Sequence, residues 1–445
     1  MKTRIIASFA ALAALVIAGV SCNKADLAGQ VTNDGPKTYT LSINATRDGE
    51  PTKGLGSDYS VIWATGERVS VYNITKKELL GYLSPSTFGT AFTILTGTVT
   101  SASGIDVDDE LRLVWCAARE TDGAISYDNQ PGTLAGIGAS TTGFYYEAAT
   151  VTATAAAAAG AGDVAPSFTD ASFKSQQSVA TFAFSLTGKN ITPSSIRVFA
   201  PGMNHHVDAN GTPVEGFINV TPGGTATTIA MSINGADGNK DQAFTFYVTF
   251  GDIIYKGTTT CKLAHNKYYG RTTPVSIDLT EYMAVPSTAT IDGVKWADRN
   301  IGASSPSAYG EHFAFGGLVP SKGTEAENTF TGTIIEPYHD VAKFVLGSGW
   351  RMPTMSDLEK LRNASWSSWD DTNKGFTVGG SIFLPAAGYW YAGNNRGARV
   401  GLYGSSTITD GDASLACDLY FNESYRSMGS SLRCCYSRSV RPVSE

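Results

Sequence analysis

The clearest pattern along this chain is strict alternation of apolar and polar positions. From Thr38 to Ala45 the apolar residues Tyr39, Leu41 and Ile43 fall on one face, the period of two that a half-buried strand requires. Similar runs follow at Arg68 to Asn73, Ala91 to Thr98 and Leu111 to Cys116, separated by Gly, Ser and Asp clusters. Short strands between turn residues, with no helical period among them, predict a β-sandwich. An Ala-rich stretch from Ala155 to Ala161, followed by Gly162, Asp163 and Pro166, breaks the pattern and reads as a short helix or an interdomain linker. Beyond it the alternation resumes at Val179 to Leu186, Ala243 to Phe250 and Val275 to Leu279, which predicts a second sandwich.

The pattern changes again near Pro286. Asp292-Gly293 between apolar flanks is a tight-turn signal within Thr290 to Trp296. Ser356-Asp357-Leu358-Glu359 reads as a capping box, which predicts a short helix from Asp357 to Arg362. Aromatic-rich strands or loops are expected at Gly379 to Tyr391, Leu402 to Thr407, Cys417 to Phe421 and Ser437 to Val443. This last region reads as an α+β module. The chain as a whole reads as mostly β.

The N-terminus carries a different signal. Lys2 and Arg4 precede an apolar run from Ile5 to Val20, then small Ser21 and Cys22. That order is the signature of a bacterial lipoprotein signal, whose mature chain begins at a lipidated cysteine. The run is shorter than the roughly 18 residues of a spanning helix. From Lys24 to Pro36 the chain is polar and aperiodic, as a tether leaving a lipid anchor would be. The expected organisation is therefore a signal peptide at 1–21, a tether and removable first strand at 22–47, sandwiches at 48–165 and 166–282, and an α+β domain at 283–445.

Composition narrows the partners. A net charge of -7 with only 16% charged residues leaves no basic stripe of the kind that tracks nucleic-acid phosphates. With Cys22 lipidated, five of the six cysteines remain, an odd number; Cys417, Cys434 and Cys435 cluster near the C-terminus and are candidates for one local disulfide of unassigned pairing.

Two resemblances rest on these residues. Val61-Ile62-Trp63 through Gly66-Glu67-Arg68-Val69-Ser70-Val71-Tyr72, and Ser167 to Leu186 after the Ala-rich stretch, resemble blocks of the Bacteroidetes fimbrillin-like lipoproteins, over roughly Thr38 to Thr280. Val294-Lys295-Trp296-Ala297, Asn300-Ile301-Gly302-Ala303, Tyr309-Gly310, Phe313-Ala314-Phe315-Gly316, Gly349 to Thr354, Ser381 to Gly388 and Ser439 to Val443 resemble, in order, a "major paralogous" domain of Bacteroidetes surface lipoproteins. That domain is distantly similar to C-type lectins and formylglycine-generating enzymes. Tyr403-Gly404-Ser405-Ser406 departs from its usual aromatic before the serine pair.

The resemblances imply two tandem fimbrillin-like, transthyretin-like sandwiches and a C-type-lectin-like domain. They imply a fimbrial subunit assembled at the outer membrane with other subunits by strand donation, after proteolysis removes the first strand. Arg47, before Asp48, is the expected cleavage residue, with Lys53 as the competing basic site; the plainer reading of Arg47 is a solvated loop residue. Because the C-terminal segment is expected to belong to a folded module, a tip subunit is implied. An anchor subunit that retains its lipid, or a monomeric glycan-binding lipoprotein of the outer membrane, is the alternative.

An adhesive tip needs a recognition surface for a glycan or protein. Trp369, Trp390, Tyr391, Asn394 and Arg396 form the densest set of aromatic faces beside amide and guanidinium groups, although each aromatic is also a candidate for plain core packing. Glu336-Pro337-Tyr338 and Trp369-Asp370-Asp371 superficially match the calcium segments of lectins, but Tyr338 supplies no side-chain carbonyl, so no metal site is expected. The five histidines have no zinc-protease spacing, and no nucleophile elbow or phosphate-cradling loop occurs. Neither an enzyme nor a cofactor is expected.

Overall fold

The computed structural model describes residues 35–47, 62–116, 125–138, 144, 146–154, 166–208, 212–223, 226–235, 240–265, 267–270, 272–327, 330, 332, 335–397, 399–409 and 412–445. The described residues are 52% strand and 7% helix, mostly β as the alternation predicts. Among the described residues no helix is long and apolar enough to cross a membrane. The expected signal segment, Cys22, Asp48, Lys53 and the Ala-rich stretch lie outside the described residues.

The first region holds β1 (Lys37–Arg47), β2 (Val69–Asn73), β3 (Glu78–Pro85), β4 (Phe92–Ser101), β5 (Glu110–Cys116), β6 (Ile125–Ser126), β7 (Tyr146–Thr152) and β8 (Ala171–Ser175). All but β6 close into one barrel in the order β1-β4-β3-β2-β5-β7-β8, where a sandwich was expected. Closure comes from β8, which runs antiparallel to β7 and parallel to β1. The first region thus extends to Ser175, past the boundary expected at Pro166. Inward positions 39, 41, 43 and 45 of β1 join Trp63, Val69, Val71, Leu113 and Phe173 in the barrel core. A closed barrel leaves no unpaired edge.

The second region packs two five-stranded sheets against each other, the first built on Ser178–Leu186 and the second on Ser195–Phe199, Gln242–Phe250 and Ile253–Cys261. Its last strand, Thr280–Ala284, pairs with Ile253–Cys261 and carries the region to Ala284. Segment 125–138 leaves the barrel to pair here: β6 bonds to Asn204–Val207, and Gln130 Nε2 donates to the Ser232 carbonyl at 2.7 Å.

The C-terminal region is α+β. Thr288–Ile291 and Val294–Ala297 form a hairpin over Asp292 and Gly293, both at positive φ as such a turn requires. The helix spans Met355–Asn363 and is capped by Thr354 with Asp357 as the reciprocal partner. The capping box therefore sits two residues before the expected Ser356/Glu359, because Pro353 breaks the chain just upstream of Thr354 and leaves its hydroxyl free to accept the Asp357 amide. The C-terminal strand Val443–Ser444 lies between Val294–Ala297 and Trp350–Arg351, with Val443 opposite both Trp296 and Arg351.

The second and third regions share one core. Phe344, on the helix Val341–Leu346, packs its ring 6.1 Å from Phe199, 5.1 Å from Phe217 and 5.0 Å from Tyr247. Phe344→Ala should therefore cost about 3–5 kcal/mol. Thermal unfolding followed by calorimetry checks this, and both regions are expected to lose stability together because the same ring serves both.

Candidate functional site

Strand β1 is built to be held on both edges. Ten of its residues, Lys37 to Thr46, pair antiparallel with β4, and Ala45, Thr46 and Arg47 pair parallel with Ala171, Ser172 and Phe173 of β8. The strand does not end at Ala45 but runs through Arg47, whose amide donates to the Ala91 carbonyl at 2.9 Å. The reason is parity: position 47 continues the inward series 39, 41, 43, 45.

The Arg47 side chain is consequently inside the barrel, with 6% exposure, and is not the solvated loop residue expected from its neighbours. Its guanidinium carbon lies 4.3 Å from the Trp63 ring centroid and 4.0 Å from that of Trp115. Nε is 2.9 Å from Glu147 Oε2, Nη1 is 3.3 Å from Glu67 Oε1, and Nη1 donates to the Ile62 carbonyl at 2.7 Å. Glu147 is itself buried. Two carboxylates and two indole faces are what a desolvated guanidinium needs, since planar stacking and ion pairing together replace its water.

A second surface lies on the hairpin Tyr389–Tyr391/Asn394–Arg396, turned at Ala392 and Gly393. Tyr436 stacks on Tyr391 at 4.2 Å and 16°, and on Tyr389 at 5.8 Å and 29°, so three phenols form one ladder. Burial, reinforced by the neighbouring Tyr391 and Tyr389 phenols, pushes the Tyr436 hydroxyl above its ordinary value and keeps it a neutral donor. The Arg396 guanidinium lies 5.7 Å from the Tyr391 ring, and Asn394, Asn395 and Arg396 are exposed. The Trp390 backbone exchanges both of its hydrogen bonds with Ser437, which holds the hairpin against the chain end.

The structure brings together Trp390, Tyr391, Asn394 and Arg396 of the expected set but leaves Trp369 in another cluster. Trp369 packs edge-on to Phe376 at 5.2 Å beneath Arg399, with its indole N–H donating to Asp371. Tyr436 was missed because nothing in Cys434-Cys435-Tyr436-Ser437 marks it; only strand pairing brings it under the hairpin. The two lectin-like segments also part: Tyr338 stacks on His205 of the second region at 4.6 Å, far in topology from Asp370 and Asp371. Among the described residues no three His, Cys, Asp or Glu side chains are grouped to hold a metal.

Among the described residues Cys417, Cys434 and Cys435 are not joined in the candidate local disulfide. Cys434 and Cys435, as neighbours, turn to different surroundings, and burial pushes both thiols above their ordinary value. One concavity of about 510 Å³ is lined by Thr290, Asp292, Lys360, Asn363 and Ser365, and it has no aromatic face. It offers hydrogen bonds without a stacking surface.

No protein-family model matches this chain, and no curated protein matches it. Similar solved structures include a candidate cell adhesion protein from Bacteroides ovatus, 9% identical with a TM-score of 0.27, covering 55% of this chain and 95% of that one. Another is the tip fimbrial protein Mfa3 from Porphyromonas gingivalis with a C-terminal truncation, at 10% identity and a TM-score of 0.27, covering 55% of this chain and 98% of that one. A candidate adhesin from Bacteroides ovatus matches at 13% identity and 0.24, over 47% of this chain and 72% of that one. Likeness this distant carries no inference about activity.

Proposed function

We propose that this chain is the precursor of an adhesive surface-filament subunit, lipidated at Cys22, exported to the outer membrane and placed at the filament tip. The observation that carries this reading is an asymmetry between the two ends of the described chain. β1 is a complete stave of a closed barrel, so its loss opens one continuous groove between β4 and β8. An incoming strand fills such a groove by main-chain hydrogen bonding, with alternate side chains setting register. The C-terminal strand, by contrast, is held between two strands of its own region and is not free to be given away. A subunit that accepts a strand, and whose strand Val443–Ser444 is held on both edges by its own region, suits an end position.

The cut after Arg47 needs a conformational step. A protease must seat the basic side chain in its own pocket, and here that side chain is clamped between two indoles; cleavage therefore follows peeling of the strand end. The tyrosine-faced hairpin is the recognition surface in this reading, with Trp390, Tyr391, Asn394 and Arg396 beside Tyr436 for a glycan, and Trp369 outside it. Tyr436→Ala should reduce glycan binding by roughly 3- to 10-fold, the worth of one stacked aromatic contact. Titration of the purified protein against an immobilised glycan array measures it; unchanged binding would remove the hairpin from the model.

The burial of Arg47 favours a second reading, a monomeric glycan-binding lipoprotein that keeps β1 permanently, and an anchor subunit would also retain the lipid. N-terminal sequencing separates them. Asp48 as the first residue of protein from sheared filaments supports strand loss, whereas only blocked Cys22 in the membrane fraction sinks the tip.

A further inference from the structure

We infer that the groove left by β1 contains a cation-specific slot, and that the strand which replaces β1 carries arginine or lysine at the register of Arg47. This rests on the proposal that β1 is exchanged; it names the chemistry of the partner strand. When β1 leaves, Trp63, Trp115, Glu67 and Glu147 remain around an emptied position. Glu147 is only 2% exposed and belongs to β7, which stays. An apolar residue at that register would forfeit both ion pairs and both cation–π contacts, and an acidic one would add repulsion. A guanidinium restores both ion pairs and both stacking faces.

The rest of the partner's pattern follows from β1. Reading backward from the cation, the inward positions are filled by Ala45, Ile43, Leu41 and Tyr39, a series that widens toward the Tyr39 end. A strand running in the direction of β1 keeps the ten antiparallel pairs with β4 and the three parallel pairs with β8. The partner is thus an extended segment of another chain with four alternating apolar residues, small next to the cation and aromatic farthest from it.

The slot also gives a reason for release. Hydrolysis of the Arg47–Asp48 peptide bond adds the hydroxyl of water to the Arg47 carbonyl carbon and its other hydrogen to the Asp48 nitrogen, and at neutral pH the new carboxyl gives its proton to the new amine. The carboxylate so formed adds a negative charge on the residue whose guanidinium pairs with Glu67 and Glu147. The cut strand is therefore held less tightly than an uninterrupted one whose cation carries no adjacent carboxylate.

The test uses the full chain, with Cys22→Ser to keep it unlipidated and a sequence-specific protease site inserted directly after Arg47. After cleavage, the protein is mixed with isotope-labelled peptides of residues 37–47, extended by two glycines, bearing Arg, Ala or Glu at the last native position. Native mass spectrometry reads the fraction of barrels that have taken up each peptide. The Arg peptide should reach half-occupancy at a concentration on the order of 100-fold below the Ala peptide, with the Glu peptide weaker still. Glu147→Gln in the acceptor should shrink the Arg-to-Ala ratio; if that variant does not fold, the three peptides on the unaltered acceptor decide alone. Equal uptake of the Arg and Ala peptides overturns the slot while leaving strand exchange standing. Failure of every peptide to enter overturns strand exchange itself, and the slot with it.

Discussion

Arg47→Ala lowers the stability of the protein by about 3–5 kcal/mol, measured as the shift in urea midpoint at unchanged slope. The effect is large because the substitution removes one partner of a buried arrangement and leaves the other. Glu147, in the barrel wall, loses a cation 2.9 Å away and has little access to water that could take its place. The indoles of Trp63 and Trp115 lose the plane between them, so a void opens in addition. Arg47→Lys keeps the charge but not the planar stack and falls between the two. Pairing Arg47→Ala with Glu147→Gln should recover part of the loss, because the double variant no longer buries a carboxylate charge that has lost the Arg47 cation. A null effect of Arg47→Ala would mean that β1 is held by its ladder alone, and it would remove the basis for the cation slot.

Arg441→Ala should unfold or nearly unfold the C-terminal region. The Arg441 side chain is fully buried, and its guanidinium donates to Asn300 Oδ1 at 2.9 Å, to the Ala297 carbonyl at 3.1 Å and to the Phe383 carbonyl at 2.7 Å. Burial depresses its pKa below the ordinary arginine value, with the Tyr403 phenol nearby partly offsetting that cost. Three charged-donor bonds at about 1.5–3 kcal/mol each, with several carbonyls then left unmatched, exceed the margin of an ordinary domain. The residue ties the hairpin of Val294–Ala297, the loop at Asn300 and the strand Ile382–Pro385 to the chain end. Near-ultraviolet circular dichroism is expected to lose the tryptophan signal of this region. A variant with native dichroism and an unshifted melting temperature would contradict the assignment of Arg441 as its central tie.

Much of β1 is written in its residues. The alternation at Tyr39, Leu41 and Ile43 identifies the strand and its inward face, and the same parity extended by two steps points Arg47 inward as well. The charge on Arg47 and the polar residues after it pull that reading toward a loop, and only the positions of Glu67 and Glu147, 20 and 100 residues away in the chain, show why a guanidinium tolerates burial there. The Asp292-Gly293 turn is equally local and appears as expected. The helix near Met355 is located correctly, yet its cap is Thr354, because capping depends on which hydroxyl the preceding backbone leaves free.

The proposed recognition surface divides in the same way. Trp390, Tyr391, Asn394 and Arg396 are close in sequence, and a hairpin keeps them close in space. Trp369 and Tyr436 lie far from them along the chain; strand pairing brought one under the hairpin and packing drew the other into the Phe376 cluster. The cysteine cluster follows suit, since proximity in sequence at Cys434 and Cys435 says nothing about whether sulfurs face each other.

From the sequence alone come the β-rich class, the strand faces, the turn at Asp292-Gly293 and the change of character in the C-terminal region, because periodicity and turn chemistry are properties of a few adjacent residues. Closure of the barrel by β8, the burial of Arg47, the Tyr389–Tyr436–Tyr391 ladder and the core that Phe344 shares between regions were decided by tertiary structure. Each depends on which distant strands share an edge, and that choice is made by the summed packing of whole sheets rather than by any local pattern.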